Sequence, residues 1–191
     1  MNFIKLKNQF FFTQHDIIEQ DIIMSINGGG FKNYKIDTSN PKVQKLYDLI
    51  PPYAHSCFSL SAISISDDEV LPHTDDIATS ILFYISTSRH KTQFYKLNTN
   101  NPTKDYVHME ANQQAVNDVD HRPWTYKTED LVEDGYYIAK NNDAYCINGW
   151  QPHAVIPQDK QSLPQIRSMI LLGTYMPFAE VVDLLKSTNS I

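Results

Sequence analysis

Cysteine and glycine are both scarce in this 191-residue chain. The two cysteines, Cys57 and Cys146, have no metal-type spacing, which excludes a cysteine zinc site and a disulfide framework. Both lie in apolar, strand-like runs, so we expect buried free thiols. Three of the six glycines stand together at 28–30. No Lys-Ser/Thr follows them, so a plain turn is favoured over a phosphate-binding loop.

Basic residues and long apolar runs are also lacking. Lys and Arg number 16 against 22 Asp and Glu, a formal net charge of -6, which argues against a nucleic-acid partner. No apolar run approaches the length of a membrane span. The N-terminus lacks the long apolar region of a signal peptide. We therefore expect a cytoplasmic protein that binds neither nucleic acid nor membrane.

The N-terminal third is predicted to be partly helical. Thr13 is a candidate N-cap for a helix ending near Ser25, because isoleucines recur at helical spacing between them. A second helix is predicted to open at Ser39-Asn40-Pro41, with proline at its first position, and to stop at Pro51-Pro52. We assign residues 1–55 to a helical or extended lead-in that braces the remainder.

The remainder is predicted to be mainly β. Residues 57–66 alternate apolar side chains with serine, a period of two that indicates a half-buried strand. About eight short strands follow residue 56, separated by turn signals rather than helices. The predicted fold is a single double-stranded β-helix, or jelly roll, over residues 56–176. A short C-terminal helix is expected at 177–187.

One polar segment, 98–134, interrupts this pattern. It holds eight acidic and three basic residues and so carries most of the net charge. Long loops within compact domains are usually functional or disordered. We consider it a candidate substrate lid, ordered by its aromatic residues and suited to a cationic substrate such as a peptide. A solvated surface excursion is an equal alternative.

The residues that indicate chemistry are His73 and Asp75, with His153 far downstream. His-x-Asp places both side chains on one face of an extended strand, because the side-chain period is two. Two histidines and one carboxylate leave open positions on a metal, the arrangement of non-heme Fe(II) oxygenases. The alternative is an exposed turn containing His73 and Asp75, with His153 merely following a turn proline.

Arg167 stands at the head of an apolar run that ends at Leu172. A charged side chain in such a strand is rarely buried without a partner. Its guanidinium matches a carboxylate bidentately. Either it binds the carboxylate of a co-substrate inside the barrel, or it forms a surface ion pair at the strand entrance.

These motifs together resemble the Fe(II)- and 2-oxoglutarate-dependent oxygenases, most closely their prolyl-hydroxylase-like branch. The resemblance covers about residues 57–175. It rests on His73-Thr74-Asp75, on the strand 80–86, on 143–148 followed by Pro152-His153-Ala154-Val155, and on Arg167.

The resemblance implies roles for five residues. His73, Asp75 and His153 would hold Fe(II), Arg167 would pair with the distal carboxylate of 2-oxoglutarate, and Tyr84 would add a hydrogen bond to it. Phe83 and Tyr95 compete with Tyr84 for that place, since a one-residue slip exchanges the faces of a strand.

The implied reaction is hydroxylation of a C–H bond, with 2-oxoglutarate and O₂ consumed, succinate and CO₂ released, and ascorbate as a supporting reductant. No catalytic residue beyond the metal ligands is required. A prolyl, other peptidyl or amino-acid substrate, or a small molecule, fits this chemistry.

The sequence departs from the family pattern in two places, and two other protein classes remain open. Many members have a Gly-Gly turn where residues 87–94 of this chain contain no glycine, and Met169 stands where some branches carry serine. A cupin-like metal-binding protein without 2-oxoglutarate chemistry is the first alternative. A non-catalytic jelly-roll module is the second.

Overall fold

The computed structural model describes residues 1–26, 29–36, 38–66, 70–87, 90–100, 102–106, 124–158 and 166–191. Within them the chain forms two antiparallel β-sheets and two α-helices. The first sheet contains β1 Phe3–Lys5, β2 Ile17–Ile26, β3 Gly29–Ile36, β4 Ser59–Ser66, β6 Thr79–Ser86, β11 Ala144–Asn148 and β13 Ile166–Thr174. The second contains β5 Val70–His73, β7 His90–Leu97, β8 Lys104–Tyr106, β9 Trp124–Tyr126, β10 Leu131–Tyr137 and β12 His153–Pro157.

The strand order is that of a double-stranded β-helix. The first sheet runs β1-β11-β6-β13-β4-β3-β2 and the second runs β10-β7-β12-β5-β9-β8. Eight strands form the core, β4, β6, β11 and β13 in one sheet and β5, β7, β10 and β12 in the other. The chain crosses between sheets after β4, β5, β6, β10, β11 and β12. The predicted fold class is therefore confirmed: the protein is mainly β, with two facing antiparallel sheets.

The first sheet has an apolar core on each face. Along β6 the side chains of Leu82 and Tyr84 belong to the core between the sheets, whereas Ile81, Phe83 and Ile85 belong to a second core on the outer face. Every one of them is buried, so β6 is a central strand covered on both sides. Strand alternation thus separates the residues that line the interior from those that hold the flanking elements.

The C-terminal helix covers the outer face of the first sheet. It spans Phe178–Ser187 (α2), in agreement with the predicted range, and buries Val181 and Leu185 completely. The second predicted helix opens at Pro41, with the Asn40 side chain accepting from the Lys42 N–H at 2.9 Å. It contains only Pro41–Gln44 (α1); a 3₁₀ turn, Tyr47–Leu49, follows within the predicted range, and a second one, Pro52–Cys57, begins where the helix was expected to stop.

The helix predicted from Thr13 to Ser25 is wrong. Its cap forms, since the Thr13 N–H donates to the Asp16 carboxylate at 2.7 Å, but the cap opens only a 3₁₀ turn, Gln14–Asp16. The isoleucines that follow lie in β2, which pairs with β3, and β3 in turn pairs with β4. Isoleucine is β-branched and loses χ1 freedom in a helix, so sheet pairing outweighs the helical spacing. The first sheet is thus extended by two strands where bracing helices were expected.

The described part of the segment 98–134 contains two short strands, and the segment ends earlier than predicted. Its strands β8 and β9 pair with each other, and β9 pairs with β5 through Thr125 opposite His73, which extends the second sheet. Strand β10 already begins at Leu131, so the C-terminal boundary at 134 is wrong. The acidic residues Glu133 and Asp134 obscured this strand in the sequence, because it is an edge strand with a largely exposed outer face. Residues 107–123 lie outside the described residues.

Candidate metal centre

The three predicted ligands come together where β5 ends and β12 begins. These strands are antiparallel neighbours, and His73 stands directly opposite His153. Asp75 follows two residues after His73, and its Oδ1 lies 3.5 Å from Nε2 of His73 and 3.7 Å from Nε2 of His153. One ligand atom from each residue lies within 4.8 Å of the other two.

The spacing of these atoms fits one metal ion. Two ligands each about 2.1 Å from a shared ion stand roughly 3 to 3.5 Å apart at common coordination angles. The observed 3.5 and 3.7 Å separations are close to that range. The donor set, two imidazoles and one carboxylate, suits a divalent transition metal and leaves open positions.

Backbone carbonyls orient both imidazoles. Nδ1 of His73 lies 2.8 Å from the Leu71 carbonyl oxygen, and Nδ1 of His153 lies 3.0 Å from the Gln151 carbonyl oxygen. A carbonyl only accepts, so each Nδ1 carries a hydrogen, and Nε2 is the ring nitrogen left to face Asp75 and a metal ion. Metal-binding histidines commonly have such a partner on the second ring nitrogen.

The main chain on both sides of Asp75 is also fixed. The Asp75 N–H donates to the carbonyl of Gly149 at 2.8 Å, and the Thr74 N–H donates to the carbonyl of Trp124 at 2.8 Å. Thr74 is buried, and its hydroxyl accepts from the Trp124 N–H at 3.1 Å. Strand β9 and the turn at 149 therefore hold the His-x-Asp segment from opposite directions. No sequence pattern predicts either contact.

The electrostatics of the cluster keep one histidine neutral. Burial lowers the pKa of His153 to about 4, against the opposing attraction of Asp75. Burial also acts to lower the pKa of His73, but the hydrogen bond and charge of Asp75 raise it overall. For Asp75, burial favours the neutral acid, yet the neighbouring histidines lower its pKa. The carboxylate is therefore ionised, as a metal ligand must be.

Arg167 lies on β13, between the sheets, and is buried. Its Nη1 makes a long contact of 3.5 Å to the Thr92 hydroxyl, and its Cζ lies 5.8 Å from the centre of the Tyr84 ring. Its Nε is buried with no hydrogen-bond partner. Among the described residues no carboxylate forms an ion pair with it. Its burial contradicts the alternative of a surface ion pair.

Phe83, Tyr84 and Tyr95 differ in the strand face that each side chain occupies. Tyr84 belongs to the core between the sheets, whereas Phe83 belongs to the outer core. Tyr95 follows the inward-facing Phe94, so it lies on the opposite face of β7. Of the three candidates, only Tyr84 lies in the interior beside Arg167.

Sequence reasoning missed a second interior tyrosine. Tyr137 lies on β10, and its hydroxyl stands 2.7 Å from that of Tyr84. Its ring stacks on Tyr145, with centroids 4.0 Å apart and an interplanar angle of 12°. Adjacent residues of a strand point to opposite faces, so one ring of the pair Tyr136-Tyr137 faces inward. Only the pairing of β10 with β7 decides which of the two it is.

Both cysteines were expected to be buried, and only one of them is. Cys146 is buried, as predicted, and burial raises the pKa of its thiol far above the ordinary value. Cys57 is exposed, so the prediction of a buried thiol is wrong there. It ends the 3₁₀ turn that precedes β4, and the alternation of the strand begins only after it.

None of the helices in the described part of the chain is long and apolar enough to cross a membrane. No protein-family model matches the sequence, and no curated protein matches it.

Solved structures give distant likenesses. Oxalate decarboxylase from Bacillus subtilis at pH 4.6 matches with a TM-score of 0.37 and 10% identity, over 81% of this chain and 27% of its own. Procruciferin, an 11S globulin from Brassica napus, matches at 0.38 and 9%, over 81% and 31%. The 11S globulin from Wrightia tinctoria matches at 0.39 and 8%, over 83% and 31%.

This chain spans less than a third of each of those chains. At these scores and identities the likenesses carry no argument about family or function. The double-stranded β-helix is identified by the strand order of the chain itself.

Proposed function

We propose that this protein is an Fe(II)- and 2-oxoglutarate-dependent dioxygenase that hydroxylates a C–H bond. The observation that carries the proposal is the buried guanidinium of Arg167, whose Nε has no partner and whose charge acts on both histidines of the triad. A buried cation without a counter-ion is costly. A carboxylate ligand entering the barrel would supply that counter-ion.

His73, Asp75 and His153 would hold the iron. When bound, Fe(II) supplies the oxidative chemistry that couples decarboxylation of the keto acid to hydroxylation of the substrate. The carbonyls of Leu71 and Gln151 keep both Nε2 atoms facing Asp75. The protein thus presents the ligands in one orientation before any metal arrives.

Arg167 and Tyr84 would bind the distal carboxylate of 2-oxoglutarate. The guanidinium offers Nε–H, and the tyrosine offers its hydroxyl, from neighbouring positions in the interior. Apolar side chains of the same core, including Phe94 and Met169, are fully buried and help to exclude water from this end of the site. In a dry environment a charge-assisted hydrogen bond is stronger than in water.

The prime substrate would approach from the β9 side of the triad. Trp124 and Tyr126 on β9 are half-buried beside the His-x-Asp segment, and β9 is hydrogen-bonded to Thr74. The acidic character of the neighbouring segment favours a peptidyl or amino-acid substrate carrying positive charge. A small-molecule substrate is the other outcome of a substrate screen.

The competing function is a metal-binding jelly roll without 2-oxoglutarate chemistry. The strand order and the triad fit it as well as they fit the oxygenase. Only the buried, partnerless Nε of Arg167 favours the oxygenase. Dependence of turnover on Arg167 therefore separates the two functions. A non-catalytic module would bind no metal at the triad.

The test is succinate formation from 2-oxoglutarate by protein loaded anaerobically with Fe(II), then given O₂ and ascorbate. We expect succinate from the wild type, none from His153→Ala, and a large loss for Arg167→Leu with iron binding retained. His15→Ala, which changes an exposed histidine, is the matched control and should behave as wild type. Iron binding without 2-oxoglutarate binding would establish the metal-binding alternative, and the absence of iron binding would refute both.

A further inference from the structure

Four polar side chains from four strands form a line between the sheets. All are buried: Tyr84 on β6, Thr92 on β7, Tyr137 on β10 and Arg167 on β13. Two of them, Thr92 and Tyr137, have no place in the proposed reaction. Buried polar groups are rarely retained without a partner or a task, so their arrangement calls for a physical reason.

The contacts run from one end of this line to the other. Arg167 Nη1 donates to the Thr92 hydroxyl oxygen across 3.5 Å. Thr92 and Tyr137 are directly paired across β7 and β10; burial raises the pKa of Tyr137, and the neighbouring Thr92 hydroxyl acts to lower it. The Tyr137 and Tyr84 hydroxyls are 2.7 Å apart.

One direction of donation gives every hydroxyl oxygen in the line a donor. A guanidinium only donates, so Thr92 accepts from it, and the Thr92 hydrogen is then directed toward its strand partner Tyr137. Tyr137 then uses its hydrogen toward Tyr84. This leaves the Tyr84 hydrogen without an acceptor in the line, and Nε–H of Arg167 is likewise unpartnered.

We propose that Thr92 and Tyr137 are positioning residues, which turn the Tyr84 hydroxyl into a donor that acts together with Arg167 on an acceptor-only ligand. A carboxylate is such a ligand, because its oxygens accept and never donate when ionised. A neutral alcohol or amide would bring donors of its own and match the site less well. The inference rests on the proposed function, since the carboxylate is that of the keto acid.

The packing of Tyr137 makes the inference testable without disturbing the fold. Its ring is held by Tyr145 at 4.0 Å and by Phe3 at 5.1 Å, centroid to centroid. Tyr137→Phe keeps both contacts and removes only the hydroxyl. Tyr145→Phe is the matched control: its ring lies in the same cluster, but its hydroxyl makes no hydrogen bond within the described residues.

The experiment measures the Kd of 2-oxoglutarate for anaerobic, Fe(II)-loaded protein by calorimetry, with the Kd of Fe(II) measured in parallel. Tyr84→Phe should weaken 2-oxoglutarate binding about 10- to 100-fold, as expected for loss of a hydrogen bond to a charged group. Tyr137→Phe should weaken it roughly 3- to 10-fold, because the Tyr84 hydrogen becomes free to turn toward other acceptors. Neither change should alter the Kd of Fe(II), and Tyr145→Phe should leave both constants unchanged.

The decisive measurement is the double variant. In the Tyr84→Phe background, Tyr137→Phe should cause less than about a twofold further change, since two residues that act as a unit are not additive. Thr92→Val should reproduce the effect of Tyr137→Phe, and Thr92→Ser should restore wild-type binding. The two Thr92 variants provide the same test if a tyrosine variant misfolds.

The outcomes distinguish this inference from the function on which it rests. If the wild type binds Fe(II) but not 2-oxoglutarate, the proposed function fails and this inference fails with it. If the wild type binds 2-oxoglutarate, two results overturn only the role of Tyr137 and Thr92. These are wild-type binding by Tyr137→Phe, or additive losses in the double variant.

Discussion

Gly149→Ala should weaken metal binding strongly although Gly149 contributes no ligand. Gly149 lies four residues before His153, in the turn that follows β11. Its carbonyl accepts the Asp75 N–H at 2.8 Å, and its own N–H donates to the Ala78 carbonyl at 2.9 Å. The glycine is therefore bonded to both ends of the segment 75–78, which carries the ligand carboxylate.

The size of the effect follows from the space around its Cα. A Cβ at Gly149 would lie 2.2 Å from the Ile77 carbonyl oxygen, 3.0 Å from Oδ2 of Asp75 and 3.1 Å from Cβ of Asp75. The first is a backbone atom, so the two segments must separate by about 0.8 Å merely to reach 3.0 Å. Metal sites tolerate ligand displacements of about 0.2 Å. We expect metal affinity to fall at least about 10- to 100-fold, as when a residue that orients a ligand is lost.

The assay is calorimetric titration of metal-free protein with Co(II) or anaerobic Fe(II), alongside thermal unfolding of the same samples. Gly173→Ala is the matched control. Its Cβ would also approach Ile77, at 3.0 Å, but the atom it meets is Cδ1 at the end of a flexible side chain. That control should retain wild-type metal affinity, whereas Gly149→Ala should lose affinity while its far-ultraviolet circular dichroism still shows a folded β protein.

Wild-type metal affinity in a folded Gly149→Ala protein would refute the argument. It would mean either that the turn shifts without moving Asp75, or that Asp75 is not a ligand. Asp75→Asn separates these explanations. If Asp75 is a ligand, its replacement weakens metal binding whatever Gly149→Ala does, because a neutral amide oxygen is a poorer donor than a carboxylate.

Three further predictions concern the thiols, the protonation of the ligand histidines and the outer core. A thiol reagent should modify about one thiol in the folded protein, the exposed Cys57, and both in denaturant, because Cys146 is buried with a raised pKa. Metal affinity should fall as the pH drops below the pKa of His73, which is raised above 6.5, because each metal ion must then displace about one proton. His153 should contribute a second proton only near its pKa of about 4. Displacement of two protons per metal ion at pH 6 would contradict this. Leu185→Ala, in a fully buried position, should lower the free energy of unfolding by about 2 to 5 kcal/mol in urea titrations.

The sequence predicts the jelly-roll core well because strands and turns are both locally encoded there. Residues 57–66 alternate apolar side chains with serine, and β4 begins two residues into that run. The strand expected at 80–86 agrees with β6 within one residue, and the apolar run from Arg167 to Leu172 lies within β13. Period-two alternation predicts these strands reliably because one face of each strand must be buried.

The N-terminal error arises where two local signals disagree. Thr13 and Asp16 do form the contact of a helix cap, and the isoleucines do recur at helical spacing. The structure satisfies the cap with one 3₁₀ turn and then places the isoleucines in β2. A partner strand, β3, decides the result, and pairing with a segment further along the chain is not visible in local spacing.

The interior of the site is the part that local patterns could not predict. Tyr137 faces inward because the β10–β7 register shifts between Glu133 and Tyr136. Such a bulge exchanges the faces of the residues that follow it. Without the bulge, alternation would place Leu131 and Tyr137 on the same face, whereas the bulge places them on opposite faces. The same reasoning applies to Gly149, whose importance depends on a carbonyl 72 positions earlier, at Ile77.

The metal centre inherits its geometry from sheet register rather than from the ligands themselves. His73 and His153 are 80 positions apart in the sequence, yet they are paired across β5 and β12. A slip of one residue would set Ala154 opposite His73 and turn the imidazole of His153 to the other face. The neighbouring strand β7 opposes that slip, because His153 also pairs with Phe94 and the inward side chain of Val155 fills the core. The apolar residues that fix the register therefore determine whether the triad exists, and substitutions there should weaken metal binding without touching a ligand.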